Sequence, residues 1–513
     1  MLEVLAMRAV TVRPAALALL GALLLFGCDS PTGSDDADDG QAPAPINDLA
    51  IASFTADSVT LTWTAVGDDD RNGVADHYEV RGSTAFIAPE DWDVSIVVPD
   101  PPDPAPAGTT ESMTVTGLDE NETYYFAMTV FDEEGNSPGI SNCVGVTCFE
   151  DVVVEFPDPA LEAAVRAGVE QLTGDLHRSA LRTLHEIRAP ERGITRLDGL
   201  EECLALAILH VPDNAIEDLG ALRGLTNLFD LDLSNNAIGN LEPLAGSTAM
   251  HHLRLARNSI ADVSPLAGLV DLEGLTLGGN QLSGIDPLAG LTRLVVLGLE
   301  DNAITDISAL AGLVDLEALT LRGNPLTGVG PLSGLTALEE LDLSGDPIAD
   351  FAPLSDLTAL RRFFAHETGM SDTSFLSAMT AMEFLGVSNN ELTALDGVAS
   401  MGQLRYLAAS GNAISDLTPV DGKPLLEGLL LHFNRITDVT PLEGSIGLQT
   451  LHLGYNQIVD LAPLVRNAGL AEGDQVDLSS NPLAAVAIDE QIPALQARGV
   501  EVTYCSTGIR KRR

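Results

Sequence analysis

Hydrophobic residues recur with a period of 22 along residues 193–505. The unit reads LxxLxLxxNxIxxLxPLxxLx, as in residues 228–249. Its fixed polar position, here called N, is Asn in ten of the twelve units from 214 to 456, and one more Asn follows 25 residues later. Such regular spacing predicts a stack of equal units that share one core. The asparagines are Asn214, Asn236, Asn258, Asn280, Asn302, Asn324, Asn390, Asn412, Asn434, Asn456 and Asn481.

Each unit predicts a short strand followed by a turn. In LxL the leucines point inward and the side chain between them points outward. An Asn turned inward can donate to and accept from the backbone of adjacent coils, so no buried peptide group is left unpaired. We therefore expect a parallel sheet of thirteen strands, on the order of 60 Å long at about 4.8 Å per strand.

Two units depart from the Asn pattern. Asp346, if ionised, has no amide donor, and Thr368 has a shorter side chain. Because the inward Asn is expected to join neighbouring coils, we predict a local irregularity around these two units.

The segments at both ends of the array predict caps. FPDPALEAAVRAGVEQL (156–172) predicts an amphipathic helix with Asp158 as N-cap and Pro159 at the first helical position. A second short helical stretch is expected near 179–184, and residues 481–504 predict a closing helix and strand. These caps cover the hydrophobic ends that a stack of units leaves open.

The unit resembles the leucine-rich repeat, and residues 152–505 as a whole resemble the internalin-like 22-residue repeat family of bacterial surface proteins. The resemblance implies a right-handed superhelix of strands and 3-10 turns, a solenoid with a parallel β-sheet on its concave face and a helical N-cap. Function in such arrays is expected on the concave face, where the strands present rows of outward side chains.

Residues 46–148 contain short alternating segments between turn residues, such as SVTLTW. This pattern predicts an antiparallel all-β sandwich. The segment resembles a fibronectin type III domain in the placing of Trp63, Tyr78, Leu118 and Tyr124. In that family the residue at the position of Tyr124 ties a loop to the backbone through its hydroxyl. We expect this domain to act as a spacer, with weak binding as the alternative.

Residues 1–28 predict an export signal. Basic residues precede the apolar stretch 15–26, which as a helix spans roughly 18 Å and is too short for a bilayer core of about 30 Å. LFGC, which ends at Cys28, resembles the lipobox of bacterial lipoproteins and implies lipidation of that cysteine. An ordinary signal peptide is the alternative. Two or three acyl chains would anchor the protein to the membrane of the cell envelope.

The rest of the chain divides by composition. Residues 29–45 are acidic and rich in Gly, Pro and Ser, which predicts a disordered linker. Residues 149–192 are assigned to the helical N-terminal cap, 193–505 to the repeats and 506–513 to a frayed basic tail. The chain is thus expected to be a lipid anchor, a tether, a sandwich and a capped solenoid.

Acidic residues outnumber basic ones by 75 to 26, a formal net charge of −49. Such a surface repels nucleic acid and anionic lipid, so we expect no nucleic-acid partner. It is compatible with divalent cations, cationic partners or simple solubility. Export permits disulfides, but the three pairings that four cysteines allow stay open. Those cysteines are Cys143, Cys148, Cys203 and Cys505.

An acidic turn within residues 68–79 has the spacing of a calcium loop. Oxygen-bearing side chains fall at loop positions 1, 3, 5, 9 and 12, with Gly at position 6. The helices of an EF-hand do not flank it, and a polar turn between strands is the alternative. Apart from this possible calcium, no cofactor is expected. The candidate ligands are Asp68, Asp70, Asn72, Asp76 and Glu79.

Aromatic and His side chains concentrate on five successive units of the C-terminal half. They occupy positions N−6, N−4, N−2 and N−1, which point outward or border the concave face. Exposed aromatics anchor many interfaces, while rings that merely pack along the strand surface are the alternative. The candidate ligand-binding residues are Phe364, His366, Phe384, Tyr406, His432, Phe433, His452 and Tyr455. A smaller N-terminal group is Phe229, His251, His252 and Arg254.

Enzyme signatures such as GxSxG, HExxH, the P-loop and the dinucleotide fingerprint do not occur, and we predict no catalytic activity. The expected function is recognition of a protein or glycan ligand at the cell surface. Two alternatives stay open: a structural envelope protein stabilised by divalent cations, and a non-catalytic subunit of a secreted enzyme complex. Adhesion to host cells is implied only by the resemblance, because fold does not fix function.

Overall fold

The computed structural model describes residues 41–68 and 73–505. The chain divides into two compact units, Met1–Glu150 and Asp151–Arg513. The predicted export signal with Cys28 and the basic tail lie outside the described residues, as does nearly all of the predicted linker. Among the residues described, no helix is long and apolar enough to cross a membrane.

The first unit is an antiparallel sandwich of two sheets, as its alternating segments predict. One sheet has the order β1-β2-β5 and the other β4-β3-β6-β7. A 3-10 helix, Pro89–Val94, precedes β4. The strands are β1 (Ala50–Phe54), β2 (Ser58–Thr64), β3 (His77–Ser83), β4 (Ile96–Val98), β5 (Thr110–Thr116), β6 (Thr123–Phe131) and β7 (Val144–Thr147).

The core between these sheets follows the alternation of the strands. In β2, Val59, Leu61 and Trp63 are buried while the residues between them are half-buried. The Trp63 ring meets Tyr78 edge to face at 5.3 Å between centroids. The Tyr78 hydroxyl donates to Glu111 Oε2 at 2.6 Å, and burial together with this bond raises the pKa of Tyr78. Both aromatic residues therefore serve the core.

Tyr124 makes the link that its position predicts. Its hydroxyl accepts from the backbone N–H of Asp119 at 3.1 Å, and Leu118 packs against the core beside this turn. Cys143 and Cys148 lie just before and just after β7 and carry free thiols, as do the other two cysteines described. None of the three possible pairings is therefore formed among the described cysteines.

The second unit begins with the predicted capping helix, α1 (Pro159–Gly168). Asp158 Oδ1 accepts from the backbone N–H groups of Ala160 and Leu161, at 2.9 and 3.1 Å. Its other oxygen accepts from the backbone N–H of Thr195 at 2.7 Å. Burial acts to raise the pKa of Asp158, but these hydrogen bonds hold it below its usual value. One side chain thus joins the cap to the array.

The array is one parallel sheet of 15 strands in which successive coils pair in order and in register. Two strands lie outside the thirteen units predicted from the sequence: β8, within the segment assigned to the cap, and the closing β22. Ile187 and Ala189 supply the buried pair of β8 in place of two leucines. The strands are β8 (Glu186–Arg188), β9 (Ile208–His210), β10 (Asp230–Asp232), β11 (His252–Arg254), β12 (Gly274–Thr276), β13 (Val296–Gly298), β14 (Ala318–Thr320), β15 (Glu340–Asp342), β16 (Arg362–Phe364), β17 (Phe384–Gly386), β18 (Tyr406–Ala408), β19 (Gly428–Leu430), β20 (Thr450–His452), β21 (Gln475–Asp477) and β22 (Glu501–Thr503).

Each coil returns to the sheet through a short helical turn that buries Leu or Val against its neighbours. The 3-10 turns are Leu200–Glu202, Gly220–Leu222, Glu242–Leu244, Ser264–Leu266, Asp286–Gly290, Ser308–Gly312, Gly330–Gly334, Ala352–Leu354, Ser374–Ala378, Asp396–Val398, Thr418–Val420 and Thr440–Leu442. The remaining helices are α2 (Arg178–Leu181), α3 (Ala462–Arg466), a π-helical turn (Ala487–Gln491) and α4 (Ile492–Gln496).

The asparagines at position N, here called the ladder position, join each coil to the preceding coil through side-chain hydrogen bonds. Asn302 Oδ1 accepts from the backbone N–H of Leu282 at 3.0 Å. Its Nδ2 donates to the carbonyls of Leu277 and Leu299, both at 3.0 Å. In most coils the residue after the ladder position adds a backbone bond, as from Ala303 to the carbonyl of Leu282 at 2.8 Å. The amide therefore satisfies buried groups of two coils at once.

The two exceptions disturb the turn that follows the strand and leave the sheet in register. Asp346 is fully buried, and neither carboxylate oxygen has a hydrogen-bond partner. Thr368 Oγ1 donates to the carbonyl of Ala365 in its own coil, at 3.2 Å. Pro325 and Pro347 follow the ladder position in two adjacent coils and have no N–H to give to the preceding coil. The predicted irregularity is thus local to these turns.

Candidate binding surface on the concave face

The position before each ladder residue has a left-handed backbone in all thirteen Asn-marked or substituted units. Gly, Asn and Asp tolerate this conformation, whereas other residues are strained there by about 1–2 kcal/mol. Eight of the thirteen N−1 residues are of these three types. They are Asp213, Asn235, Arg257, Gly279, Asp301, Gly323, Gly345, Glu367, Asn389, Gly411, Phe433, Tyr455 and Ser480.

Two aromatic residues break this preference side by side. Phe433 and Tyr455 have φ values of 58° and 56°. Their rings stack with centroids 4.1 Å apart and planes inclined by 13°. Both stay open to solvent, with 53% and 51% of their surface exposed. The left-handed conformation belongs to the whole repeat, so what distinguishes this pair is that two bulky and exposed aromatic side chains occupy it.

A second stack lies on the N−6 row. The rings of Phe384 and Tyr406 are parallel within 6°, with centroids 5.1 Å apart. The Arg362 guanidinium lies over the Phe384 ring at 5.2 Å. On the far side, Tyr406 leans onto Gly428, where an added Cβ would lie 2.4 Å from the ring. The stack therefore runs over four strands with its ring faces largely covered and its ring edges outward.

The charged groups around this second stack are paired with one another. Arg362 Nη1 lies 3.3 Å from Glu340 Oε2, and Arg405 Nη1 lies 2.6 Å from Glu427 Oε1. The Tyr406 hydroxyl donates to Glu427 Oε2 at 3.1 Å. Burial and this hydrogen bond raise the pKa of Tyr406, which keeps the phenol neutral. The edges of the two stacked rings thus lie among Arg and Glu side chains whose charges neutralise each other in pairs.

Phe364 and His366 lean together over Gly386, where an added Cβ would meet both rings. Both side chains are half-buried. His366 Nδ1 accepts from the backbone N–H of Ser388 at 3.0 Å, and burial lowers the pKa of this imidazole. A neutral ring held by the next coil contributes to the packing of the strand surface, which is the alternative reading of the aromatic residues.

His432 and His452 lie beside the stacked pair Phe433–Tyr455. Their ring centroids are 6.5 Å apart, and His432 meets Phe433 edge-on at 5.6 Å. His432 Nδ1 lies 3.0 Å from Ser410 Oγ. Burial, with help from His452, lowers the pKa of His432. The His432 imidazole is therefore favoured in its neutral form beside the Phe433 ring.

The structure brings the eight sequence-predicted candidates into three groups. Phe364 pairs with His366, and Phe384 stacks on Tyr406. The third group holds His432, Phe433, His452 and Tyr455. Sequence reasoning missed Arg362, which covers Phe384, and the two glycines that the rings lean onto. It also missed the left-handed N−1 row, although the recurrence of Gly, Asn and Asp at that position would have revealed it.

Comparison with protein families assigns both units. Residues 270–312 and 314–356 match the family described as Leucine Rich repeats (2 copies). Residues 43–144 match the Fibronectin type III domain. The array is a leucine-rich-repeat solenoid. The unit that precedes it is a fibronectin type III-like sandwich, and both folds generally serve as binding modules.

Solved structures that resemble the chain include the following two. An internalin (inlF) of Listeria monocytogenes is 26% identical with a TM-score of 0.57, over 69% of this chain and 96% of that one. A leucine-rich-repeat protein of Leptospira interrogans is 19% identical with a TM-score of 0.53, over 63% of this chain and 97% of that one. The second likeness concerns the fold alone. None of the curated proteins compared with this sequence matches it.

The N-terminal end of the leucine-rich-repeat sheet carries a self-contained polar network. Phe229 stacks on His251 at 4.3 Å between centroids. Asp230 Oδ1 accepts from Arg254 Nη1 at 2.6 Å, and its other oxygen lies 3.1 Å from His210 Nε2. Burial acts to raise the pKa of Asp230, but the side chains of His210 and Arg254 lower it to about 2. In this smaller group, Arg254 is thus paired with a neighbouring carboxylate.

The candidate calcium loop of the sandwich is only partly described. Asp70 and Asn72 lie outside the described residues. Asp68 and Gly73 border the gap, and Gly73 has the positive φ of 78° that a sharp turn requires.

The other candidate calcium ligands have protein partners. Asp76 Oδ2 lies 2.8 Å from His77 Nδ1. Glu79 lies in β3 and accepts from Arg81 Nε at 2.5 Å. Within 41–68 and 73–505, no three His, Cys, Asp or Glu side chains are grouped so as to hold a metal ion. Calcium binding stays a prediction.

Proposed function

We propose that this chain is an exported binding protein of the bacterial envelope that captures another protein through the two aromatic stacks of its concave face. The observation that carries this proposal is the Phe433–Tyr455 pair. The two rings are exposed, mutually aligned and held on a backbone conformation that disfavours them.

Strain at this pair argues for selection on function. Gly, Asn or Asp fills the same position in eight coils at a lower cost, and Arg257, Glu367 and Ser480 fill it in three others. Two strained residues cost about 2–4 kcal/mol together, whereas one stacked pair contributes about 0.5–1.5 kcal/mol. Folding alone therefore favours a smaller residue at both positions. A contact that the folded chain makes with a partner accounts for the difference.

The orientation of the rings favours a protein partner over a glycan. A sugar ring packs its C–H face against an open aromatic face, but Phe384 has Tyr406 on one face and Arg362 on the other. Ring edges carry partial positive charge and suit carbonyl oxygens, Met sulfurs and the faces of other aromatic rings. These groups are abundant on protein surfaces and largely missing from neutral glycans.

The proposed location rests on sequence. The apolar stretch before Cys28 and the lipobox-like LFGC support export and lipidation, and residues 29–45 suit a tether. The fibronectin-like sandwich follows this tether in the sequence and precedes the repeats. Similarity to an internalin at 26% identity supports a binding function for the repeats.

A capture experiment tests the binding site. Wild-type protein and two variants are immobilised and exposed to envelope extract, and retained proteins are quantified by mass spectrometry. One variant carries Phe384→Ala and Tyr406→Ala, the other Phe433→Asn and Tyr455→Asn. A remote control carries Phe229→Ala, in the self-paired N-terminal group. Circular dichroism verifies that every variant is folded.

The expected result is one partner that wild type and the control retain and that both stack variants lose. Equal retention by all four proteins would contradict the proposed site. Retention of polysaccharide in place of protein would contradict the proposed ligand class.

A separate experiment tests the anchor. Cells expressing the chain are labelled with a clickable fatty acid, and the protein is recovered from membrane and soluble fractions. Label and membrane association are expected for wild type and are expected to be lost in Cys28→Ser. Export of an unlabelled wild-type protein would leave the ordinary signal peptide as the correct interpretation.

A further inference from the structure

The fibronectin-like sandwich leaves an apolar strand open at one sheet edge. In the described part of the chain, β4 (Ile96–Val98) is the terminal strand of its sheet and pairs with β3 alone. Ile96 and Val97 are 75% and 55% exposed, and Val94, just before the strand, is 82% exposed. Sheet edges are usually protected by Lys, Pro or a bulge, so an apolar edge marks an interaction site or an aggregation hazard.

The pairing of β4 explains why its apolar side chains find no cover within the sandwich. Val98 is buried, but Ile96 lies opposite Gly82, which has no side chain to pack against it. Val97 lies opposite Arg81. The Arg81 guanidinium forms an ion pair with Glu79 and stacks over the Trp92 ring. The exposure of Ile96 and Val97 therefore follows from the register in which β4 pairs with β3.

The surroundings of this edge are acidic. Exposed or half-exposed carboxylates lie on both sides of the strand, and Pro99 limits its length. The sequence has no Lys or Arg between Arg81 and Arg166. The carboxylates are Glu90, Asp91, Asp93, Asp100 and Asp103.

We propose that β4 is a docking edge for an extended segment of a partner protein, apolar at its centre and flanked by Lys or Arg. Such a segment adds one strand to the sheet: backbone hydrogen bonds give affinity, and its apolar side chains cover Ile96 and Val97. Its basic flanks meet the carboxylates at the two ends of β4. Pairing with a second copy is disfavoured, because two antiparallel β4 strands bring the same acidic flanks together.

The test uses Trp92 as a built-in reporter. Trp92 lies in the 3-10 helix just before β4, under the Arg81 guanidinium, and the other tryptophan, Trp63, is buried in the core. The full chain is titrated with the synthetic peptide KKTVTVTVKK, and with EETVTVTVEE as the charge-reversed control. Tryptophan emission gives the dissociation constant at low and at high salt.

Two variants make the test specific to this edge. Ile96→Thr combined with Val97→Thr removes apolar surface while keeping residues that favour a strand. Val314→Thr is the matched control, because Val314 is 52% exposed on the repeats. Far-ultraviolet circular dichroism and unfolding temperature verify that both variants are folded.

The expected result is saturable binding of the basic peptide by wild type and by Val314→Thr, at least about tenfold weaker in the double variant and for the acidic peptide. Binding should weaken at high salt. Equal affinity for both peptides, or an unaffected double variant, would overturn the proposal. Concentration-dependent dimerisation that the double variant abolishes would also overturn it, since a second copy would then be the occupant.

Discussion

Phe433 and Tyr455 stack ring on ring, 4.1 Å apart, from two neighbouring coils that are both left-handed at these residues. The two facts are connected. Because both residues occupy the same position of the repeat and share one backbone conformation, their side chains leave neighbouring coils in parallel. The conformation that strains each residue also aligns the pair. Two neighbouring coils can thereby form an extended aromatic surface that is larger than one coil alone can provide.

Replacing Asp346 by Asn should stabilise the array. The introduced amide can donate to backbone carbonyls of two coils, as Asn302 does, whereas the Asp346 carboxylate has no partner. Burial, reinforced by Asp342, raises the pKa of Asp346 to about 7, although nearby backbone N–H groups act to lower it. The folded chain thus binds this proton more tightly than the unfolded chain.

The pH dependence follows from that difference. The stability that this proton contributes is fully present below about pH 4 and is lost as the pH rises through about 7, a change on the order of 4 kcal/mol. The advantage of Asp346→Asn in urea unfolding should therefore widen from about pH 5 to about pH 8. Asp315→Asn, at an exposed position, should show no such trend. A constant advantage would mean that Asp346 does not titrate in this range.

Replacing Asn302 by Ala should strongly destabilise the array. The change leaves the carbonyls of Leu277 and Leu299 and the N–H of Leu282 without their partner. Each buried unpaired group costs about 1–3 kcal/mol, so the free energy of unfolding should fall by roughly 3 kcal/mol or more. The exposed Asn240, which caps one turn, is the matched control, and its replacement by Ala should cost about 1 kcal/mol or less. Similar losses at both sites in urea titrations would contradict the role of the ladder.

Adding one methyl group at Gly428 should displace Tyr406. A Cβ there would lie 2.4 Å from the Tyr406 ring, so the ring must swing away from its stack with Phe384. Because an exposed side chain can move at little cost, Gly428→Ala should change stability by less than about 1 kcal/mol. It should nonetheless weaken partner capture and alter the near-ultraviolet circular dichroism. Gly268→Ala, where nothing lies within 4 Å, should change neither; full capture by Gly428→Ala would remove Tyr406 from the site.

The repeats could be predicted from the sequence because their determinants are periodic. Leucine spacing fixes which side chains are buried, and the Asn ladder fixes how coils are joined, so strand order and register follow. The strand β8 was not foreseen, since Ile187 and Ala189 replace the leucines and Arg192 stands at the ladder position. A coil at the end of the array is also stabilised by its contacts with the cap, so it can form with fewer residues of the repeat pattern.

The candidate site was only partly predictable. The row positions identified which aromatic residues face outward, but not which of them serve packing. His366 is held by the N–H of Ser388 in the next coil, a contact between residues 22 apart that depends on the rotamer of the ring. The exposed edge of β4 was also missed, because alternation predicts a strand but does not show which strand ends the sheet.

The most direct test of the account measures stability and partner capture on one protein, Phe433→Asn combined with Tyr455→Asn. Asn is already present at the same left-handed position in other coils, so strain is relieved while the rings are removed. The remote control is Arg257→Asn in the same row. We expect the free energy of unfolding to be unchanged or raised by up to about 2 kcal/mol, and the partner to be lost. A stability loss with full capture would show that the pair serves the fold, and would contradict the proposed binding site.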